Sequence, residues 1–143
     1  MNGFENVSNA STVGSWTTVR QVYENTEGLD LEKALENTVT LELLEDVLHD
    51  YWEGIKEGAD EIEQLMNSED YKLYTVKVHA LKSSSRIVGI TKLGDMAYEL
   101  ELAGYEAEKG DAQAIRKIKE NTPAVLEKYR SYSDIFSGIF NNA

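Results

Sequence analysis

DYKLYTVKVHALKSSSRIV, residues 70–88, opens on an aspartate and then runs without glycine or proline until Gly89. An Asp before such a run can accept bonds from the free amides of a first turn, and Gly readily leaves a helix. The stretch therefore predicts a helix from Asp70 to about Val88. With His79 as zero and about 100° per residue, Lys72 lies at about 20°, Thr75 at about −40°, Lys82 at about −60°, Ser83 at about 40° and Arg86 at about −20°. These six share one arc. The other side carries Leu73, Tyr74, Val76, Val78, Ala80, Leu81, Ile87 and Val88, with small Ser84 and Ser85 among them. It reads as the core face, which turns His79 toward solvent. Lys77 falls within that apolar side and is expected to snorkel at a helix end or beside a gap.

The flanking sequence repeats the pattern. Leu31, Ala34 and Leu35 predict a short helix that fails around Asn37-Thr38. Thr40 is a candidate cap for a long helix with the stripe Leu44, Val47, Leu48, Tyr51, Ile55, Ile62, Leu65 and Met66, loosened by Gly54 and Gly58. Thr91 reads as the next cap, before Leu93, Met96, Ala97, Leu100, Ala103 and Ala107, a stripe that ends at Gly110. Asp111 caps a last stretch with Ala114, Ile115, Ile118, Val125, Leu126 and Tyr129 inward, which Pro123 is expected to kink or divide. Residues 1–27, rich in Asn, Ser, Thr and Gly, read as a linker or loosely docked arm. The fold class is all-α: an antiparallel up-down four-helix bundle with an additional short N-terminal helix, over residues 28–140.

Composition narrows the chemistry. The 143 residues include no cysteine, so disulfides, thiolate catalysis and thiolate metal sites are excluded, and the compartment reads as cytoplasmic. No apolar run approaches the roughly 18 residues of a membrane span, and the N-terminus has no basic-then-apolar leader. Twenty-six acids against fourteen bases give a formal charge of −12, which repels nucleic acid and anionic membranes. Against that background, Tyr71 to Gly94 holds Lys72, Lys77, Lys82, Arg86 and Lys92 and no acid.

A local positive patch around one imidazole suits transient phosphorylation. Neutral imidazole is a good nucleophile near pH 7, its unperturbed pKa being about 6.5. A dianionic phosphoryl group on His79 would have Lys82 at i+3 and Arg86 at i+7 to offset its charge, with small Ser83 leaving the nitrogen open. Geometry alone favours the plainer reading, since a lone exposed histidine on a helix is usually just a solvated residue.

The run His79-x-Leu81-Lys82-Ser83-Ser84-Ser85, followed by Ile87-Val88-Gly89, Leu93, Leu100-Glu101 and Gly110-Asp111, resembles the histidine-containing phosphotransfer (HPt) domain of two-component phosphorelays. The likeness begins at Gly28-Leu29-Asp30-Leu31 and spans residues 28–137. It implies a phosphoacceptor at His79, phosphoryl stabilisation by Lys82 and receiver docking past the small Ser83; Arg86, Lys72 and Thr75, which share the histidine's arc, complete the expected binding surface. Ser83 stands where the family commonly has glycine. The partners implied are response-regulator receiver domains and a hybrid sensor kinase, with the chain a monomer. No cofactor is expected on this domain, Mg²⁺ belonging to the receiver. No glycine loop for nucleotide is present, so autonomous phosphorylation from ATP is not expected. Val76, Ile87 and Ile90 are candidates for the margins of the docking surface.

Two alternatives compete. A degenerate bundle could bind a receiver or another helix without carrying phosphate. A di-iron carboxylate bundle is hinted at by Asp46-x-x-His49, but it needs a second ligand pair, and Val76 stands three residues before His79. His49, among Glu45, Asp46, Asp50 and Glu53, reads as structural or solvated.

Overall fold

Four short oxygen-bearing side chains start helices. Asp30 Oδ1 accepts from the Lys33 amide at 2.9 Å, Thr40 Oγ1 from Leu43 at 3.1 Å, Asp70 Oδ1 from Leu73 at 3.2 Å and Asp111 Oδ1 from Ala114 at 2.9 Å. Each satisfies an amide that has no partner within its own helix. The computed structural model describes residues 10–140. In chain order the helices are α1 (Ala10–Asn25), α2 (Leu31–Thr38), α3 (Leu41–Glu53), α4 (Ile55–Asn67), α5 (Tyr71–Ile87), α6 (Thr91–Glu108) and α7 (Ala112–Phe140). Among the described residues the one extended pairing is an isolated bridge between Leu29 and Ile90, and no helix is long and apolar enough to cross a membrane.

Helices α4, α5, α6 and α7 contact one another in a closed ring, with α5 against α6 the most extensive pairing. Short turns, 68–70, 88–90 and 109–111, join them. The core runs through Leu44, Leu48, Ile55, Ile62, Tyr74, Val78, Leu93, Leu100, Ile118, Leu126 and Phe136, all almost fully buried. Burying such side chains is worth about 1.5–3 kcal/mol each.

Several expectations need correction. The reading of residues 1–27 as a linker or loosely docked arm fails over 10–25, which form α1; residues 1–9 lie outside the described residues. Val19 and Tyr23 of α1 are buried, and the Tyr23 hydroxyl donates to Val88 O at 2.5 Å. Polar composition hid this helix, which is anchored in the core through those two residues. The long helix after Thr40 is divided at Gly54 into α3 and α4, with its apolar stripe still inward. Ile90, not Thr91, holds the cap position of α6. Pro123 does not divide α7, which continues for 29 residues. Thr122, Val125 and Leu126 are buried beside it, and the Thr122 hydroxyl bonds that of Tyr74 at 2.6 Å. That packing outweighs the roughly 3 kcal/mol that an interior proline costs.

The turn after α5 is set by Gly89. Its φ of 79° is costly for other residues, and a Cβ there would run into Asp30 O. The amide of Asp30 donates to Gly89 O at 2.7 Å and that of Thr91 to Gly28 O at 3.1 Å. The segment before α2 thereby holds the α5–α6 turn, and with it the two helices that build the site.

Candidate functional site

The buried edge of α5 and the residue that follows it is Tyr71, Tyr74, Thr75, Val78, Leu81, Ser85 and Val88. This differs from the face expected opposite His79. Leu73, Val76 and Ile87 are exposed at 48%, 55% and 42%, whereas Ile90 is fully buried and leaves the docking margin. Ala80 is exposed as well. The apolar arc of α5 is wider than one buried face, so its neighbours decide which part turns inward. The decisive neighbour is Gly104 on α6, where a Cβ would run into Thr75 Oγ1. Close approach there draws Thr75 into the interface, where its hydroxyl donates to Tyr71 O at 2.7 Å. Thr75, expected on the binding surface, is only 3% exposed and is removed from it.

His79 does face solvent, its side chain 53% exposed. It is not without an acid. Glu101, buried on α6, reaches across the α5–α6 seam with Oε2 at 2.5 Å from His79 Nδ1 and Oε1 at 2.6 Å from Lys82 Nζ. The Tyr105 hydroxyl donates to the same Oε2 at 2.9 Å. A carboxylate only accepts, so in the neutral ring Nδ1 carries the proton and Nε2 keeps the lone pair. Burial works to raise the Glu101 carboxyl's pKa, but Lys82, His79 and Tyr105 together bring it below its ordinary value. Glu101 therefore adds stability above the ordinary carboxylate range, lost as pH falls through the lowered folded value.

The acid-free stretch of sequence is thus not acid-free in space. Lys77, expected to snorkel, pairs with Glu61 of α4 at 3.0 Å, and Lys92 with Glu27 at 3.6 Å. Arg86 turns away along α6: it meets Asp95 at 3.1 Å, and a Cβ at Gly94 would stand 2.7 Å from its Cγ. Tyr98 receives both Lys82 Nζ, 5.2 Å from the ring centre, and Arg86 Cζ, at 5.5 Å. Lys72 is exposed and Ser83 half-buried. Reasoning along α5 alone missed Glu101, Tyr98 and Tyr105 as site residues; their i, i+3, i+7 spacing in a following helix is the available signal.

His49, read as structural or solvated, is half-exposed beside the C-terminal end of α7. Its ring meets that of Phe140 edge-on at 5.0 Å, and Nδ1 lies 3.4 Å from Glu53. Ligand atoms of His49, Asp50 and Glu53 come within 4.8 Å of one another on one surface turn, the one such trio among the described residues, and Asp46 is not in it.

Neither a curated protein nor a solved structure matches the chain. The Hpt domain family matches residues 46–128, which take in α5, α6 and the Glu101-centred cluster. With more than half of its length matched and a helical bundle around an exposed histidine, the chain belongs to the Hpt domain family, whose members act with receiver domains in two-component phosphorelays.

Proposed function

We propose that this chain accepts a phosphoryl group on His79 Nε2 from a receiver-domain aspartyl phosphate and passes it to another receiver. The observation that carries this reading is the Glu101 carboxylate on Nδ1, which commits the ring to the tautomer with a free Nε2. In the forward step the Nε2 lone pair attacks phosphorus, the bond from phosphorus to the aspartyl oxygen breaks, and the receiver keeps its carboxylate. The ring then holds a proton on Nδ1 and phosphorus on Nε2, and Glu101 faces the positive charge that develops. Mg²⁺ belongs to the receiver, where it offsets phosphoryl charge during transfer. No cofactor of this domain is invoked.

Lys82 rests on Glu101 and Tyr98, with its side chain 16% exposed. In the proposed reaction it turns its ammonium to the phosphoryl oxygens. Lys82→Ala is expected to slow transfer about 10- to 100-fold, the worth of one charge-assisted bond, with the helical circular dichroism unchanged. An unchanged rate would remove Lys82 from the site.

Exposed Leu73, Val76 and Ile87 on α5 and Tyr98, Leu102 and Tyr105 on α6 support a docking surface on both sides of His79. Lys72 and Ser83 belong to it, and Arg86 contributes through its rim pairing with Asp95. The closed ring of α4 to α7 with short turns supports the antiparallel up-down four-helix arrangement. The same reading has the chain act in the cytoplasm as a monomer, with a hybrid sensor kinase among its partners. The test is incubation with a receiver carrying labelled aspartyl phosphate: acid-labile, base-stable label on this chain supports the relay. Binding without transfer, to every receiver of the source organism, would favour a module that docks receivers but carries no phosphate.

A further inference from the structure

Glu101 is a buried carboxylate with three partners, and two of them share one oxygen. His79 Nδ1 and the Tyr105 hydroxyl both lie on Oε2, at 2.5 and 2.9 Å, while Lys82 pairs with Oε1. Lys82 Nζ stands 2.6 Å from Oε1, a close charge-assisted contact, and is the partner that the proposed reaction draws away. Tyr105 stands one turn after Glu101 on α6, and 47% of it is exposed. Its ring is outside the core. Its hydroxyl is nevertheless directed to the buried group that orients the histidine.

We propose that Tyr105 is a positioning residue for phosphoryl transfer, acting through Glu101. The inference rests on the function proposed above. When Lys82 turns to the phosphoryl group, the contact with His79 alone would leave the carboxylate able to swing about its Cγ–Cδ bond. The directed bond from the Tyr105 hydroxyl holds Oε2 at a second point, so that it stays aligned with Nδ1. A ring held in this way presents Nε2 along one direction, which an in-line displacement at phosphorus requires. The role has a dynamic side as well. In the proposed mechanism Lys82 leaves Oε1 to meet the phosphoryl group, and Tyr105 then remains as the donor that keeps Glu101 in register while the charged ring forms.

The experiment uses the full chain and phosphoramidate as donor, so that no receiver contact at the Tyr105 edge enters the result. Nε2 attacks phosphorus, the donor P–N bond breaks and ammonia departs. Tyr105→Phe keeps the ring and removes only the hydroxyl. It is expected to slow label uptake about fivefold, less than the loss of a bond made directly to the phosphoryl group, and to speed solvent exchange of the His79 Nδ1 proton seen by NMR. In a Glu101→Ala background the same change is expected to alter uptake less than about 1.5-fold, because the group it acts through is gone. Equal slowing in both backgrounds, or an unchanged rate and proton exchange in Tyr105→Phe, would overturn the assignment. Failure of the unaltered chain to take label on His79 from phosphoramidate and from receivers alike would instead sink the phosphotransfer reading itself, while the Nδ1 exchange comparison still reports on Tyr105.

Discussion

A chain carrying His79→Gln is expected to take up no acid-labile label from a receiver's aspartyl phosphate, a loss of at least ~1,000-fold against the unaltered chain. Glutamine can still donate an amide N–H to Glu101 Oε2, so the Lys82–Glu101 pair keeps its setting. The amide nitrogen cannot replace Nε2 as a nucleophile, because its lone pair is delocalised into the carbonyl. His79 is half-exposed but bonds the buried Glu101, so the substitution is expected to cost about 1 kcal/mol where the glutamine amide does not fully replace the Nδ1 bond. Complete loss of label with a melting curve shifted by only a few degrees therefore isolates the chemistry. His49→Gln is the matching control and is expected to leave uptake unchanged. Acid-labile label that persists in His79→Gln and disappears in His49→Gln would move the acceptor to α3.

Gly104→Val is expected to lower the melting temperature by about 10 °C or more, from a destabilisation of roughly 3 kcal/mol. A Cβ at Gly104 overlaps Thr75 Oγ1 and meets its Cβ at 3.1 Å and its Cγ2 at 3.2 Å. Thr75 cannot simply swing aside, since it is β-branched within a helix and its hydroxyl is bonded to Tyr71 O. Relief requires α5 and α6 to separate. Replacing glycine inside a helix ordinarily gains up to about 1 kcal/mol, so the clash must overcome that gain too. Separation also draws Glu101 from His79, and phosphoryl uptake should fall alongside stability. Thr75→Ala combined with Gly104→Ala removes Oγ1 and Cγ2 from the collision and is expected to restore most of the loss that Gly104→Ala shows alone. Additive losses would mean that Thr75 is not the obstacle.

The elements that the sequence announced are those with local causes. Asp30, Thr40, Asp70 and Asp111 cap where short acceptors precede apolar runs, and the stripe of α6 is buried as its spacing indicates. Exposure of His79 was legible for the same reason. What escaped depends on partners distant in sequence. Thr75 looked outward because nothing near it reveals that Gly104 will admit α6 so closely. The patch around His79 looked free of acids because Glu61, Asp95 and Glu101 approach from other elements. Pro123 looked like a break because propensity carries no information about the core that holds both halves of α7.

Tyr23 gives the molecule a boundary that family resemblance would put elsewhere. The matched segment begins at residue 46, yet the Tyr23 hydroxyl closes on Val88 O at the end of the helix that carries His79, and the Tyr23 ring lies 6.3 Å from that of Phe136, beyond the other end of the match. Two segments flanking the shared family region thus meet each other across it. For anyone transplanting the helix that carries His79 into another protein, both flanks belong with it, because its last turn is held by a side chain from outside the matched segment.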